Sequence, residues 1–168
     1  MTHEDLFEGC NVYDNHVAFW GSCFSNFYPC EFMLEGKTWK TSEHYFMWKK
    51  AMFFNDVETA NKILEVEHPR DAKKLGRQVK GFNEEEWTLV SFHVMYEGVY
   101  AKFSQDEDLK RALLNENFTG KHFVEGSPVD NIWGVGVSYE DPRVDDENNW
   151  TGKNWLGKIL DIVRDRLK

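Results

Sequence analysis

Residues 41–54, TSEHYFMWKKAMFF, constrain the fold more than any other stretch of the 168-residue chain. Thr41 or Ser42 can cap a helix, and Glu43 then falls in the first turn, where a carboxylate complements the free N–H groups. At about 100° per residue, Glu43, Phe46, Met47, Lys50 and Phe54 share one stripe. Tyr45, Trp48 and Met52 lie on the opposite one, with His44 and Lys49 on the flanks. Both stripes are apolar, so the pattern predicts a helix packed on two sides. Glu43 and Lys50, two turns apart on one apolar face, admit two readings. Glu43 serves the helix N-terminus while Lys50 snorkels to solvent; or the pair forms the floor of a pocket. An unpaired buried charge is costly, which favours a job for both. Desolvation there raises a carboxyl pKa and lowers an amine pKa, and mutual attraction opposes both shifts. Such a pair can supply an acid/base and a nucleophile.

The rest of the chain predicts mostly helices. His16–Trp20 reads as a strand, and Cys30–Lys40 as a hairpin turning at Glu35-Gly36. Helices are expected over Val57–Val66, from Pro69 to near Gly81, over Glu84–Phe103, over Glu107–Asn115, and through GKNWLGKILDIVRDRLK at the end. HFVEG and NIWGVGV read as short strands. The class is therefore α+β, mainly helical with a small sheet, in a single domain over 1–168. Ser138–Trp150, acidic and polar, reads as a flexible rim or lid.

A formal net charge of −9 leaves no global positive field for nucleic acid, so any such contact has to be local. Cys10, Cys23 and Cys30 are odd in number and form no CxxC, which points to reduced thiols in a cytoplasmic protein. The six His lack ligand spacing, and no metal site is expected. The opening MTHEDLFEG does not read as a signal peptide, and no apolar run reaches the ~18 residues of a membrane span.

Several residues have a binding reading beside a plain one. Ser25 and Asn26, framed by Phe24, Phe27 and Tyr28, suit either a stacked base with a hydrogen-bonded edge or an ordinary turn. Trp133, beside Gly134 and Gly136, can cover a ring or ribose where the glycines let the backbone approach. Arg70, Lys73, Lys74 and Arg77 share a broad helix face; it is either solvated or a phosphate grip, for which Arg77 is the choice because a guanidinium binds phosphate bidentately. Glu125 and Asp130 suit a strand-end ion pair or a second carboxylate for glycosidic cleavage.

CFSNFYPCEF, WKTSEHYFMWKKA, AKKLGRQVKGFNEEEW, AKF, VEGSPVDNIWGVGV and NWLGKIL follow one another in that order. Together they resemble the YbiA-like family, also called NADAR for its association with NAD and ADP-ribose, over roughly 19–167. The resemblance implies a compact, mainly helical α+β domain with N-glycosidase activity on ribosides and no metal or organic cofactor. One branch hydrolyses phosphoribosylated pyrimidine intermediates of riboflavin synthesis; another removes ADP-ribose from guanine in nucleic acid. Carried over, the family's TSEHYF motif falls on Thr41–Phe46 with Glu43 as the acidic group, and its lysine falls on Lys50. Its WGxG element falls on Trp133, Gly134 and Gly136, preceded by Glu125 and Asp130, and its LGR block on Leu75, Gly76 and Arg77. Two departures stand out: Ser91 where a basic residue is expected, and Gly126 where Ala is.

The resulting expectation is an N-glycoside hydrolase. Glu43 is its general acid/base. Lys50 either attacks C1 and holds the opened sugar as an imine, or positions ribose oxygens. Asp130 orients a ribose hydroxyl or Lys50; Trp133, Phe24 and Tyr45 wall the base or ribose; Arg77 meets a phosphate. The rival is a non-catalytic ADP-ribose or nucleotide binder, which would need the aromatics and Arg77 but neither Glu43 nor Lys50.

Overall fold

The computed structural model describes residues 6–168, so the first five of the acidic opening residues lie outside it. In chain order the strands are β1 (Cys10–Val12), β2 (His16–Phe19), β3 (Phe32–Leu34), β4 (Lys37–Trp39) and β5 (His122–Glu125). The helices are α1 (Ser42–Phe53), α2 (Val57–Glu65), α3 (Pro69–Gly76), α4 (Glu84–Gln105), α5 (Glu107–Leu113) and α6 (Trp155–Leu167). The class is α+β and mainly helical. Two compact units emerge, residues 29–105 and residues 6–28 with 106–168. Among the described residues no helix is long and apolar enough to cross a membrane.

In the 29–105 unit, β3 and β4 form an antiparallel hairpin pairing Phe32 with Trp39 and Leu34 with Lys37. The Gln105 side chain closes the free side of β3, accepting from Met33 N at 2.8 Å and donating to Met33 O at 2.7 Å. Helix α1 packs against α2, α3 and α4 and touches β4. Its residues Ser42–Trp48 are all buried, which is the two-sided packing that the double apolar stripe predicts. Close approach is possible because α3 presents Gly76: a Cβ there would overlap the Met47 thioether.

A buried helix start needs its orphan N–H groups satisfied. Thr41 Oγ1 accepts from His44 N at 3.2 Å and lies 2.7 Å from His44 Nδ1, while His44 Nε2 lies 3.1 Å from Val66 O. A carbonyl can only accept, so Nε2 carries the proton and Nδ1 accepts from the Thr41 hydroxyl. Burial holds this imidazole neutral and pulls its pKa below the ordinary value.

Helix α3 stops at Gly76, with Arg77 as its C-cap, short of the expected end near Gly81. A rival acceptor ends it. Asp56 caps α2 through Thr59 N at 3.1 Å and takes Lys80 N at 2.9 Å, drawing residues after Arg77 out of the helical path. The Lys80 N–H, then the Thr59 hydroxyl and N–H, hold the Asp56 carboxyl at about 2. Ser91 is buried on α4, at the position where a basic residue was expected.

In the other unit the sheet order is β1-β2-β5, antiparallel between β1 and β2 and parallel between β2 and β5. Every residue of β2 is buried, and β5 carries α6 on its flank. The edge strand β1 lacked a sequence signal. NIWGVGV is a loop and not the expected strand, because Asp130 Oδ1 accepts from Ile132 N at 2.9 Å and Trp133 N at 2.8 Å and curls the chain. Ser138–Trp150, expected as a flexible rim, holds two 3-10 turns, Pro142–Asp145 and Glu147–Asn149, capped by Asp141 and Asp146. It is tied down by Trp150 Nε1 donating to Val144 O at 2.8 Å and by a 3.0 Å contact between Asp145 and His16.

Two measurements test this account. A Cβ on Gly126 would overlap the Tyr139 backbone, so Gly126→Ala should cost about 1–3 kcal/mol in urea denaturation; unchanged stability would mean that the turn yields freely. His44 has a depressed native pKa, so its contribution is fully present above about pH 6.5 and is lost as pH falls through the native value. The melting temperature should therefore drop between pH 7.5 and 5.5, and more steeply than in His44→Asn; equal slopes would exclude His44 as the cause.

Candidate active site

The candidate residues fall in both units. In residues 29–105 they are Glu43, Tyr45, Lys50 and Arg77; in the other unit they are Phe24, Ser25, Asn26, Glu125, Asp130, Trp133 and Gly134.

Glu43 lies in the first turn of α1 and is 6% exposed. Lys50 follows in the last turn, half-buried, with Nζ 4.3 Å from the centroid of the Phe82 ring. The surroundings are aromatic: Phe46 and Trp87 lie 5.2 Å apart, Phe53 and Trp87 5.8 Å, and Phe54 and Phe82 5.5 Å. Burial lowers the Lys50 pKa, Glu43 opposes by favouring the ammonium, and Arg77 adds to the lowering. The net direction is down, so the amine is more readily neutral than an ordinary lysine. Arg77 is exposed at the end of α3, its charge felt at Lys50. Glu43, Lys50 and Arg77 thus belong to one local charge system. Lys49 belongs elsewhere, paired with Glu35 at the hairpin turn.

Tyr45 lies fully buried among Trp39 at 5.3 Å and Trp48 at 6.5 Å, and a Cβ on Gly98 would come within 3.0 Å of its ring. Its hydroxyl is buried with no hydrogen-bond partner among the described residues. Burial, then Glu97 and Glu35, raise its pKa. Its surroundings are those of a core side chain.

In the other unit, Asp130 is a loop organiser. Besides its two short backbone bonds, Oδ1 stands 3.5 Å from Gly134 N, and Asp130 N donates to Ser127 Oγ at 3.1 Å. Gly134 sits where a Cβ would come within 3.0 Å of both Asp130 O and Glu125 O. Glu125 is anchored through its backbone: its N–H donates to Asn154 Oδ1 at 3.1 Å and its carbonyl accepts from Val135 N at 3.2 Å. These bonds bring Glu125, Asp130 and Gly134 into one turn system, from which Trp133 projects half-buried, edge-on to Trp155 at 5.6 Å. Phe24 is 1% exposed and packs on Phe123 at 4.9 Å and Phe19 at 5.8 Å. Ser25 and Asn26 are buried, and Ser25 Oγ accepts from Phe27 N at 3.1 Å.

Sequence reasoning passed over three residues. Phe82 has no periodic pattern, yet its ring lies over the Lys50 amine. Lys102 is 1% exposed, a buried cation 5.0 Å from the Phe103 ring; its position in a helix rich in aromatics was the available signal. Asn154, at φ 54°, donates from Nδ2 to Phe123 O at 3.0 Å and accepts from Glu125 N, holding β5 to the start of α6.

A family model described as the NADAR domain matches residues 17–168. Protein irg-1 of Caenorhabditis elegans is 40% identical over 162 residues, covering 86% of this chain and 74% of its own. N-glycosidase R617 of Acanthamoeba polyphaga mimivirus is 36% identical over 165 residues, covering 90% of this chain and 96% of its own. The NMR structure of the E. coli protein YbiA matches with a TM-score of 0.74 at 30% identity, over 97% of this chain and 90% of that one.

Because the Tyr45 hydroxyl is buried with no partner among the described residues, Tyr45→Phe removes a polar group unsatisfied there and keeps the ring. Stability in urea should stay equal or rise by about 1 kcal/mol. A loss of stability would show that the hydroxyl has a partner.

Proposed function

The chain belongs to the NADAR domain family, and from that premise we propose that it is an N-glycosidase hydrolysing the C1–N bond of a ribosylated base. The observation that carries the reading is the Lys50 amine, biased toward neutrality on the same helix as a buried carboxylate, Glu43. The N-glycosidase name of the mimivirus relative supports the reaction class. The substrate is a phosphoribosylamino-pyrimidine of riboflavin biosynthesis or ADP-ribose on guanine. The net charge of −9 favours the small molecule, since long nucleic acid demands a basic footprint.

Cleavage leaves positive charge at C1 and a base that needs a proton. In the proposed course, neutral Lys50 attacks C1 as the C1–N bond breaks, and Glu43 delivers a proton to the departing base. The protonated glycosylamine loses one proton to Glu43, Glu43 returns it to the ring oxygen as the C1–O bond breaks, and a protonated imine then links Lys50 to the opened sugar. Water adds to C1 of the protonated imine and loses a proton to Glu43, which passes it to the Lys50 nitrogen; the C1–N bond then breaks as the new hydroxyl gives its proton to Glu43, releasing the sugar, the neutral amine and the protonated carboxyl. Arg77 holds a phosphate of the substrate. In the other unit, Asp130 fixes the turn that carries Trp133.

The deciding experiment incubates the protein separately with the two substrate types and follows released sugar by mass spectrometry; no release from either would leave a binding module. Glu43→Gln should lower turnover by about 10²–10⁴-fold with binding largely kept, and full activity would refute the acid/base role. Borohydride added during turnover should trap a sugar adduct on Lys50 in the wild type and none in Lys50→Ala. Failure to trap would leave Lys50 positioning the sugar for direct attack by water. The rising limb of kcat/KM should lie below the ordinary lysine range near 10.4, because the attacking amine must be neutral and its pKa is lowered.

A further inference from the structure

Phe82 follows Gly81 in the segment between α3 and α4. Its ring is 45% exposed, so burial alone gives little reason for an aromatic there. It is nevertheless held in place. Phe54 meets it at 5.5 Å and 74°, and Phe54 in turn rests 6.3 Å from Trp87. The cation it faces is the amine on which the proposed reaction turns, with Lys50 Nζ 4.3 Å from the ring centroid. An ammonium within about 6 Å of a ring face is attracted by the negative face of the π system, whereas a neutral amine is attracted far less.

We propose that Phe82 is a positioning residue: its π face holds the Lys50 ammonium in the resting enzyme and lets the amine go when the proton leaves, so that only neutral Lys50 is free to reach C1. This rests on the N-glycosidase reading for its chemical meaning, though the contact itself can be tested without it. The other charged groups acting on Lys50 are Glu43 on α1, which favours the ammonium, and Arg77 at the end of α3, which disfavours it. Helix α4 contributes the uncharged Trp87 to the same aromatic seam. Phe82 therefore works in the same direction as Glu43 and against Arg77 and burial.

Fluorination isolates the effect, because it weakens the negative ring face while keeping the ring's shape. The protein would be prepared with 4-fluoro-, 3,5-difluoro- and 3,4,5-trifluorophenylalanine at position 82. Lys50 would be titrated by NMR in protein carrying lysine labelled with ¹³C at Cε, its signal assigned by its loss in Lys50→Arg. The Lys50 pKa should fall stepwise with fluorine number, by about 0.3–1 unit over the series. The rising limb of kcat/KM should move to lower pH by the same amount. A Lys50 pKa that does not change across the series overturns the proposal, as does a pKa that falls while the kinetic limb of an active enzyme stays fixed. If the wild type releases no sugar from either substrate and the pKa still follows fluorination, the contact stands and the glycosidase reading falls.

Discussion

The burial of helix α1 is the constraint on which the 29–105 unit depends. Seven consecutive residues, Ser42–Trp48, are shielded from water, so no face of the helix start is left to solvate its backbone. Thr41 and His44 answer this together. The hydroxyl caps the helix and donates to the imidazole, and the imidazole donates to the Val66 carbonyl just past the end of α2. One neutral histidine therefore joins the beginning of one helix to the end of another. Gly76 on α3 removes the side chain that would keep Met47 at a distance. With the start of α1 fixed, Lys50 two turns later has little choice of surroundings: aromatic rings, one carboxylate and one guanidinium.

The other unit solves its backbone problem differently. Its strands are short, and much of its remaining chain is loop. Side chains replace the missing ladders. Asp130 gathers the N–H groups of the turn carrying Trp133, Asn154 bridges the edge of β5, and Asp161 accepts from Phe123 N at 3.0 Å and contacts His122 at 2.9 Å. Asp141 and Asp146 cap the two 3-10 turns, as Asp106 caps α5. Many of the carboxylates behind the net charge of −9 thus have local backbone work. The acidity of the chain is in part a record of how its turns are held.

These different solutions explain what the sequence revealed. Helices were legible because periodicity and caps are local signals: the double stripe of α1, Pro69 opening α3 and the long apolar run of α4 all appear as read. Failures arose where a distant or side-chain acceptor decides the backbone. Asp56 ends α3 early from 24 residues away. Asp130 turns NIWGVGV, whose composition suits a strand, into a loop. Strand β1 has its register only because β2 lies beside it. At the candidate site, Glu43 and Lys50 were legible as a spacing on one helix, and Arg77 as a cation in a basic cluster. Phe82 was not, since an isolated Phe after a glycine carries no pattern, and only folding brings it to the amine. Tyr45 shows the converse: periodicity placed it on an apolar face but could not say that its hydroxyl would lie without a partner among the described residues.

The charge balance at Lys50 gives the aromatic content of this chain a second meaning. Glu43 and Arg77 pull the amine in opposite directions, and Arg77, exposed, acts through water that screens it. Burial is the largest influence and the one that sets the net direction. Phe82 faces the amine, and Phe54, Trp87 and Phe46 continue from it as one contiguous aromatic seam. Aliphatic side chains would exclude water equally well, but they offer no face for an ammonium. The Phe82 face thus gives the charged form a weak resting place in a site whose burial disfavours charge. The ammonium is thereby disfavoured relative to that of an ordinary lysine, while Glu43 and the Phe82 face oppose that trend.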